Sequence, residues 1–279
     1  MNKNFVVDKE KCTGCGLCVK DCSTVAIKLD DNNNPYMTEN GNINCMECQH
    51  CLAICPTGAI SILGKKPEHS STIEDFSPEN ILNTIKTRKS CRHFKQEDVS
   101  PETINQLKSM LNYVPTGRNN HNLLFSIVDK RKDADVIREY VNKNLLKLIK
   151  QFPFNFIAKK YARYTKLLEK NIDIIFRNAP HIIVACSPVD APCANIDPVI
   201  ALSYFELYAN SLGLGTCWCG LAQNCFKMLP KMKSLFNIPK GYKPVYVMLF
   251  GQPALKYSRH TQPIEYTFVS PNVNDLKQS

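Results

Sequence analysis

Nowhere does the 279-residue chain contain an apolar run of the roughly 18 residues that a membrane span requires. Its opening, MNKNFVVDKEKC, lacks the apolar core of about 7 residues that marks a secretory leader. Acid is in short supply, with 25 Asp and Glu against 35 Lys and Arg and a formal net charge of +10. Extended disorder and collagen-like structure are excluded by 44% hydrophobic and 22% charged residues. A soluble cytoplasmic protein without membrane contact is expected, and at about 150 residues per domain the length suggests two domains.

The charge is unevenly placed. Residues 1–64 carry 5 Lys and Arg against 7 Asp and Glu, leaving a net +12 on the remainder. Cysteine divides the same way: eight of the 14 precede residue 56. A secreted disulfide scaffold would be small and would follow a leader, so these thiols call for another explanation.

They form two runs, Cys12, Cys15, Cys18, Cys22 and Cys45, Cys48, Cys51, Cys55, each member of the second lying 33 residues after its counterpart. Thr24, Ala26, Ile27 and Leu29 are matched at the same offset by Thr57, Ala59, Ile60 and Ile62, which marks a duplicated unit. Three thiolates two residues apart reach three corners of a cuboidal cluster from one loop, whereas zinc sites pair two close cysteines with a remote pair. In such runs the fourth cysteine ligates the other cluster, so cluster one takes Cys12, Cys15, Cys18 and Cys55 and cluster two takes Cys45, Cys48, Cys51 and Cys22. Over residues 3–64 the chain resembles a bacterial-type two-cluster ferredoxin, which implies two 4Fe-4S clusters. Pro56 follows Cys55 as that pattern asks; Ser23 stands where the first run would carry proline.

Domains are expected at 1–64 and 78–279, joined by the polar, turn-rich linker 65–77. Ser77-Pro78-Glu79 and Ser100-Pro101-Glu102 read as helix starts with capping hydroxyls. Strands are expected at Leu123 to Val128, His181 to Cys186 and Val245 to Phe250, and a helix from Asp197, with Ala201, Leu202, Phe205, Tyr208 and Leu212 on one face, stopped at Gly213. The pattern alone leaves α+β and α/β open.

Four motifs stand in order: Arg88-Lys89-Ser90-x-Arg92-x-Phe94, Pro115-Thr116-Gly117-x-Asn119, Gly213-Leu214-Gly215-Thr216-Cys217-Trp218, and Gly251-x-Pro253 followed by Lys256, Tyr257 and Arg259. Together they resemble the nitroreductase-like FMN enzymes over residues 78–270. That resemblance implies an α+β fold and a homodimer with FMN at the interface. It also implies that Arg88 and Arg259, assisted by Lys256 and Lys89, hold the FMN phosphate, with Ser90 near the phosphate or ribityl chain. Asn119, with Pro115 and Thr116, would reach the flavin from the partner subunit, while Gly215 and Thr216 present main chain to its reactive edge. His121 stands where the family commonly has glutamine. The chemistry would lie on FMN, so no separate catalytic side chain is expected.

The implied activity is an FMN oxidoreductase fused to its own electron-transfer module. It would draw on NAD(P)H or reduced ferredoxin and reduce nitroaromatic, quinone-like or other activated small acceptors. The alternative is a flavin and iron-sulfur carrier or redox sensor serving a protein partner. Residues 135–176 match no family motif and suggest helices forming a lid. Cys217, Cys219 and Cys225 read as buried free thiols rather than a third metal site, and Trp218 as packing near the flavin. The basic stretch from Lys159 to Lys170 reads as a solvated helix face rather than a nucleic-acid surface.

Overall fold

The computed structural model describes residues 3–151, 166–170 and 172–272. In the N-terminal module the duplication is visible as backbone. Strand β1 (Val6–Val7) pairs antiparallel with β4 (Ile60–Ser61), and β2 (Ile27–Leu29) with β3 (Pro35–Met37). Each of the helices α1 (Leu17–Asp21) and α3 (His50–Ala53) follows a residue in the left-handed region, Gly16 and Gln49, which are themselves 33 positions apart. Between them lies α2 (Gly41–Asn44). Cys18, Ile27, Cys51, Leu52, Ile60 and Ile62 form the small core, which unites both repeats.

After an exposed join, the second module opens with α4 (Pro78–Thr87) and α5 (Pro101–Met110). Ser100 caps α5 as expected, its Oγ accepting from the Thr103 amide at 3.2 Å. Ser77 does not cap α4, because its hydroxyl donates to Glu79 Oε2 at 2.7 Å instead.

The framework is an antiparallel sheet in the order β5 (Leu124–Val128), β6 (His181–Pro188), β8 (Tyr242–Gly251), β7 (Gly215–Trp218). On β6 and β8, Ile182, Val184, Cys186, Val247 and Leu249 face one core, while Ile183, Ala185, Met248 and Phe250 face the other. Burial on both faces explains why these strands read as continuous apolar runs rather than alternating ones. The helices α6 (Arg131–Gln151) and α8 (Gly220–Met228) cover the first face; α5 and α7 (Asp197–Ser211) cover the second. A short α9 (Met232–Leu235) precedes β8. Of the expected lid segment 135–176, residues 152–165 and 171 lie outside the described ones, as does most of the basic stretch; α6 forms its beginning, and Leu168, Ile175 and Phe176 near its end are buried in the first core. Among the described residues no helix is long and apolar enough to cross a membrane.

Among the described residues, two apolar stretches are left uncovered. Helix α4 has no buried residue, and Ile81, Leu82 and Ile85 are each about half exposed. In the tail, Ile264, Tyr266 and Phe268, which alternate like a strand in sequence, are exposed and pair with no strand.

A polar group closes the core at the start of β6. Fully buried His181 accepts the Val99 amide on Nε2 at 2.9 Å, so Nδ1 carries the proton and donates to the Val128 carbonyl at 3.2 Å. Its ring also stacks on Phe250. Burial holds its pKa below the ordinary histidine value of 6.5. The unfolded chain therefore takes up this proton more readily than the fold. His181's contribution is complete above pH 6.5 and declines as pH falls toward the depressed folded value, with a slope of at most about 1.4 kcal/mol per pH unit. Urea unfolding of the wild type and His181→Gln across this window should show a weaker acid loss in the variant.

Candidate functional site

The thiols of the N-terminal module are grouped around space. Cys12, Cys15, Cys18 and Cys55 line one cavity together with Gly14, Gly16, Leu17, Pro35 and Ile60, so the fourth cysteine of the second run joins the first three of the first. Burial pushes the Cys51 thiol up to about 12, and the neighbouring Cys48 and Cys45 thiols add to the effect. The duplication extends to the sulfurs. Cys22 Sγ accepts from the Ala26 amide at 3.3 Å and lies 3.7 Å from Thr24 Oγ1; Cys55 Sγ accepts from the Ala59 amide at 3.2 Å and lies 3.7 Å from Thr57 Oγ1. Among the described residues no three His, Cys, Asp or Glu side chains converge on a single-ion site. Sulfur donors spread around a cavity, with amides directed at them, suit a multi-iron cluster better than a lone zinc ion.

In the second module three of the four motifs meet at one edge of the sheet. Ser90 bridges Thr216 in the parallel sense, and the Cys91 amide donates to the Thr216 carbonyl at 2.7 Å. Past Phe94, which bridges Pro253, the Lys95 amide donates to the Gln252 carbonyl at 2.8 Å. The segment 90–95 thus ties β7 to the chain leaving β8. Lys89 Nζ lies 5.1 Å from the centre of the Tyr257 ring, and Lys256 and Arg259 stand exposed on the same tail. Together with partly exposed Arg88 they make a cationic rim whose donors suit a phosphate.

Gly215 serves a close approach other than the expected one. A Cβ there would meet Cys91 Cβ at 2.6 Å, so the missing side chain admits Cys91. Thr216 is buried and turns its hydroxyl to Glu206.

Glu206 was not foreseen from sequence. This buried carboxylate on α7 accepts from Arg88 Nη1 at 3.3 Å, Thr216 Oγ1 at 3.2 Å and Trp218 Nε1 at 3.0 Å. The available signal was an acid between Phe205 and Leu207, on the apolar stretch of the helix. Trp218, expected simply as packing, is one of its donors. Cys217, Cys219 and Cys225 are all buried, and burial pushes Cys219 up to about 11 and Cys225 up to about 12, as for unreactive thiols.

The Pro115-Thr116-Gly117-x-Asn119 loop lies elsewhere. The Gly117 amide donates to Asp197 Oδ2 at 2.9 Å, and a Cβ on Gly117 would strike Cys193 Sγ at 2.5 Å. His121 gives its amide to Thr116 Oγ1 at 3.0 Å, while its Nε2 lies 2.8 Å from Asn119 Oδ1. Asn119 Nδ2 donates to the Met46 carbonyl at 3.0 Å, across the two modules. A cavity of about 640 Å3 adjoins this loop, with Gln49, Thr116, His121, Leu111 and Phe125 among its walls.

Register measures the separation of the two parts. Thr216 is level with Phe250 and His181, whereas the loop feeds into Leu124, level with Cys186 on the opposite edge. Three strand spacings across and five residues along amount to roughly 14 Å and roughly 17 Å. No hydrogen bond among the described residues links Asn119 to the Arg88 rim.

A family described as the nitroreductase family matches residues 85–252, and a 4Fe-4S dicluster domain matches residues 11–59. The archaeal-type NADPH glutamate synthase of Thermotoga maritima is 37% identical over 84 residues, which take in 29% of this chain and 16% of that protein. The chain thus spans about a sixth of the first curated relatives that it matches. A putative NADH dehydrogenase/NAD(P)H nitroreductase of Methanothermobacter thermautotrophicus is 26% identical over 64% of this chain and 80% of its own length. Among solved structures, a nitroreductase with bound FMN from Desulfitobacterium hafniense shares the fold at TM-score 0.54 and 22% identity, covering 67% of this chain and 98% of that one.

Replacing Glu206 by Ala would leave Arg88, Thr216 and Trp218 without their shared acceptor. A loss of about 2–4 kcal/mol in unfolding free energy is expected by denaturant titration, larger than for Glu206→Gln, which keeps an amide oxygen in place.

Proposed function

Because the chain belongs to the nitroreductase family and carries a 4Fe-4S dicluster domain ahead of that fold, we propose that it is an FMN-dependent oxidoreductase with a built-in electron supply. The observation that carries this reading is the meeting of Arg88, Ser90, Thr216 and the Lys256 to Arg259 tail at one sheet edge, in a chain where Cys12, Cys15, Cys18 and Cys55 line one cavity.

In this reading Arg88 and Arg259, with Lys89 and Lys256, hold the FMN phosphate, and Ser90 lies beside it. Glu206 keeps the Arg88 guanidinium in place, and the main chain at Gly215 and Thr216 borders the ring. FMN, when bound, takes up single electrons and passes on a hydride or electron pair. Cys12, Cys15, Cys18 and Cys55 would ligate one 4Fe-4S cluster and Cys45, Cys48, Cys51 and Cys22 another. The acceptor would be a nitroaromatic, a quinone or a similarly activated small molecule, and the donor NAD(P)H or reduced ferredoxin. A cytoplasmic setting, where thiols stay reduced, belongs to the same proposal.

A homodimer completes the site. The loop of Pro115, Thr116 and Asn119 stands at the opposite corner of the sheet from Arg88, so it would serve a flavin bound by a second chain. The uncovered faces of α4 and of the Ile264 to Phe268 tail offer apolar area for that association.

Anaerobically prepared protein should contain about eight iron and about eight sulfide per chain. Titrating it separately with NADH, NADPH and reduced ferredoxin, and then with a nitroaromatic or quinone, should reduce and reoxidise the flavin with turnover. Zinc without iron, or a flavin that no small acceptor reoxidises, would overturn the reading.

Arg259→Ala and Arg88→Ala should each weaken FMN binding by roughly tenfold to a hundredfold, the equivalent of about 1.5–3 kcal/mol, in fluorescence titrations. Riboflavin, lacking the phosphate, should bind the variants and the wild type alike.

A further inference from the structure

The two proposed clusters do not stand in equivalent relation to the second module. The cavity bounded by Cys12, Cys15, Cys18 and Cys55 is lined only by residues between Cys12 and Ile60. By contrast, the loop from Cys45 to Cys48, which carries two ligands of cluster two, is bonded to the nitroreductase fold: the Met46 carbonyl accepts from Asn119 Nδ2 at 3.0 Å. One residue past Cys48, Gln49 shares the walls of a cavity with Thr116 and His121. The residues on that side are those the family resemblance assigns to the border of the flavin.

Both sides of the contact are held. The Glu47 amide donates to Cys45 Sγ at 3.4 Å, and the Glu47 carboxylate pairs with Lys3, anchoring the loop within its own module. Across from it, His121 Nε2 lies 2.8 Å from Asn119 Oδ1. With the imidazole proton on Nε2, this contact occupies the amide oxygen and leaves the NH2 group to face Met46. A bonded path therefore runs from the backbone between two cluster ligands, through one hydrogen bond, to a residue expected at the cofactor.

We propose that the Met46–Asn119 contact makes cluster two the exit through which electrons leave the dicluster module for the flavin, with cluster one as its feeder. The inference rests on the FMN reading above. Each transfer oxidises a reduced 4Fe-4S cluster by one electron and reduces FMN by one. Two transfers with two protons from solvent return both clusters to the oxidised state and give fully reduced FMN. The clusters are loaded from outside by a low-potential one-electron donor, such as a reduced iron-sulfur protein.

The test compares FMN-saturated holoproteins that each lack one cluster. Cys15→Ala removes a ligand of cluster one and Cys48→Ala a ligand of cluster two. Each is mixed anaerobically with dithionite; rapid-freeze EPR follows the remaining cluster and absorbance follows the flavin. The double variant supplies the rate of direct flavin reduction. With cluster two alone, FMN should be reduced about as fast as in the unaltered protein. With cluster one alone, the cluster should be reduced while FMN stays oxidised, with transfer slower by at least an order of magnitude. Equal rates in the two variants would overturn the proposal.

If either substitution costs both clusters, Asn119→Asp decides, since it keeps all eight cysteines and removes the donor to Met46. Reduced clusters accumulating ahead of FMN support the exit path, and the two reduced in step contradict it. A chain that takes up no FMN overturns both this inference and the flavin reading; FMN served equally by either cluster overturns the inference alone.

Discussion

Burial of β6 and β8 on both faces governs where this molecule can place polar chemistry. With Ile182 to Cys186 and Val247 to Phe250 almost fully enclosed, a charged or hydrogen-bonding group on the middle of the sheet would need a buried partner. His181, at the start of β6, meets that requirement, both ring nitrogens being occupied by backbone groups. Polar contacts are consequently displaced to the sheet's edges. The start of β7 receives the segment 90–95, and the approach to β5 carries the Asn119 loop.

Glu206 shows what an edge site demands of the core beneath it. An isolated carboxylate at this depth would be strongly unfavourable, and three donors from separate segments of chain, at Arg88, Thr216 and Trp218, compensate it. Of these, the Arg88 bond holds the guanidinium that the phosphate would meet in the proposed reading. Arg88 stays partly exposed, so its remaining N–H groups are available to a ligand.

Legibility in the sequence followed the strictness of the local chemistry. The cysteine runs were readable because cluster geometry ties residue type to spacing, and the structure repeats even the Thr24 and Thr57 contacts at that offset. The strands at β6 and β8 were readable because double burial leaves an apolar run at Ile182 to Cys186 and Val247 to Phe250. Ser77 and Ser100 were indistinguishable as caps, since only the folded chain reveals that the Ser77 hydroxyl has Glu79 as its partner. Glu206 was hidden because its donors lie 118, 10 and 12 residues away, beyond any local pattern. His121, standing where the family commonly has glutamine, left a flavin contact open in the sequence; its Nε2 lies 2.8 Å from Asn119 Oδ1.

In the proposed homodimer, the two parts of the site on one chain would serve different flavins. The Arg88 rim and the Asn119 loop occupy diagonal corners of a four-stranded sheet, and a strand spacing near 4.8 Å cannot be compressed to bring the two together. Bending the sheet enough to do so would break the two cores that enclose it. In that proposed dimer a second chain would present its own loop to the first chain's rim. The same arrangement would cover Ile81, Leu82 and Ile85 on α4 and the alternating apolar residues of the tail, which have no reason to be apolar in a solitary chain. Asn119 would then stand between a cluster loop of its own chain and a cofactor held by the other, so that association and electron delivery depend on the same few residues.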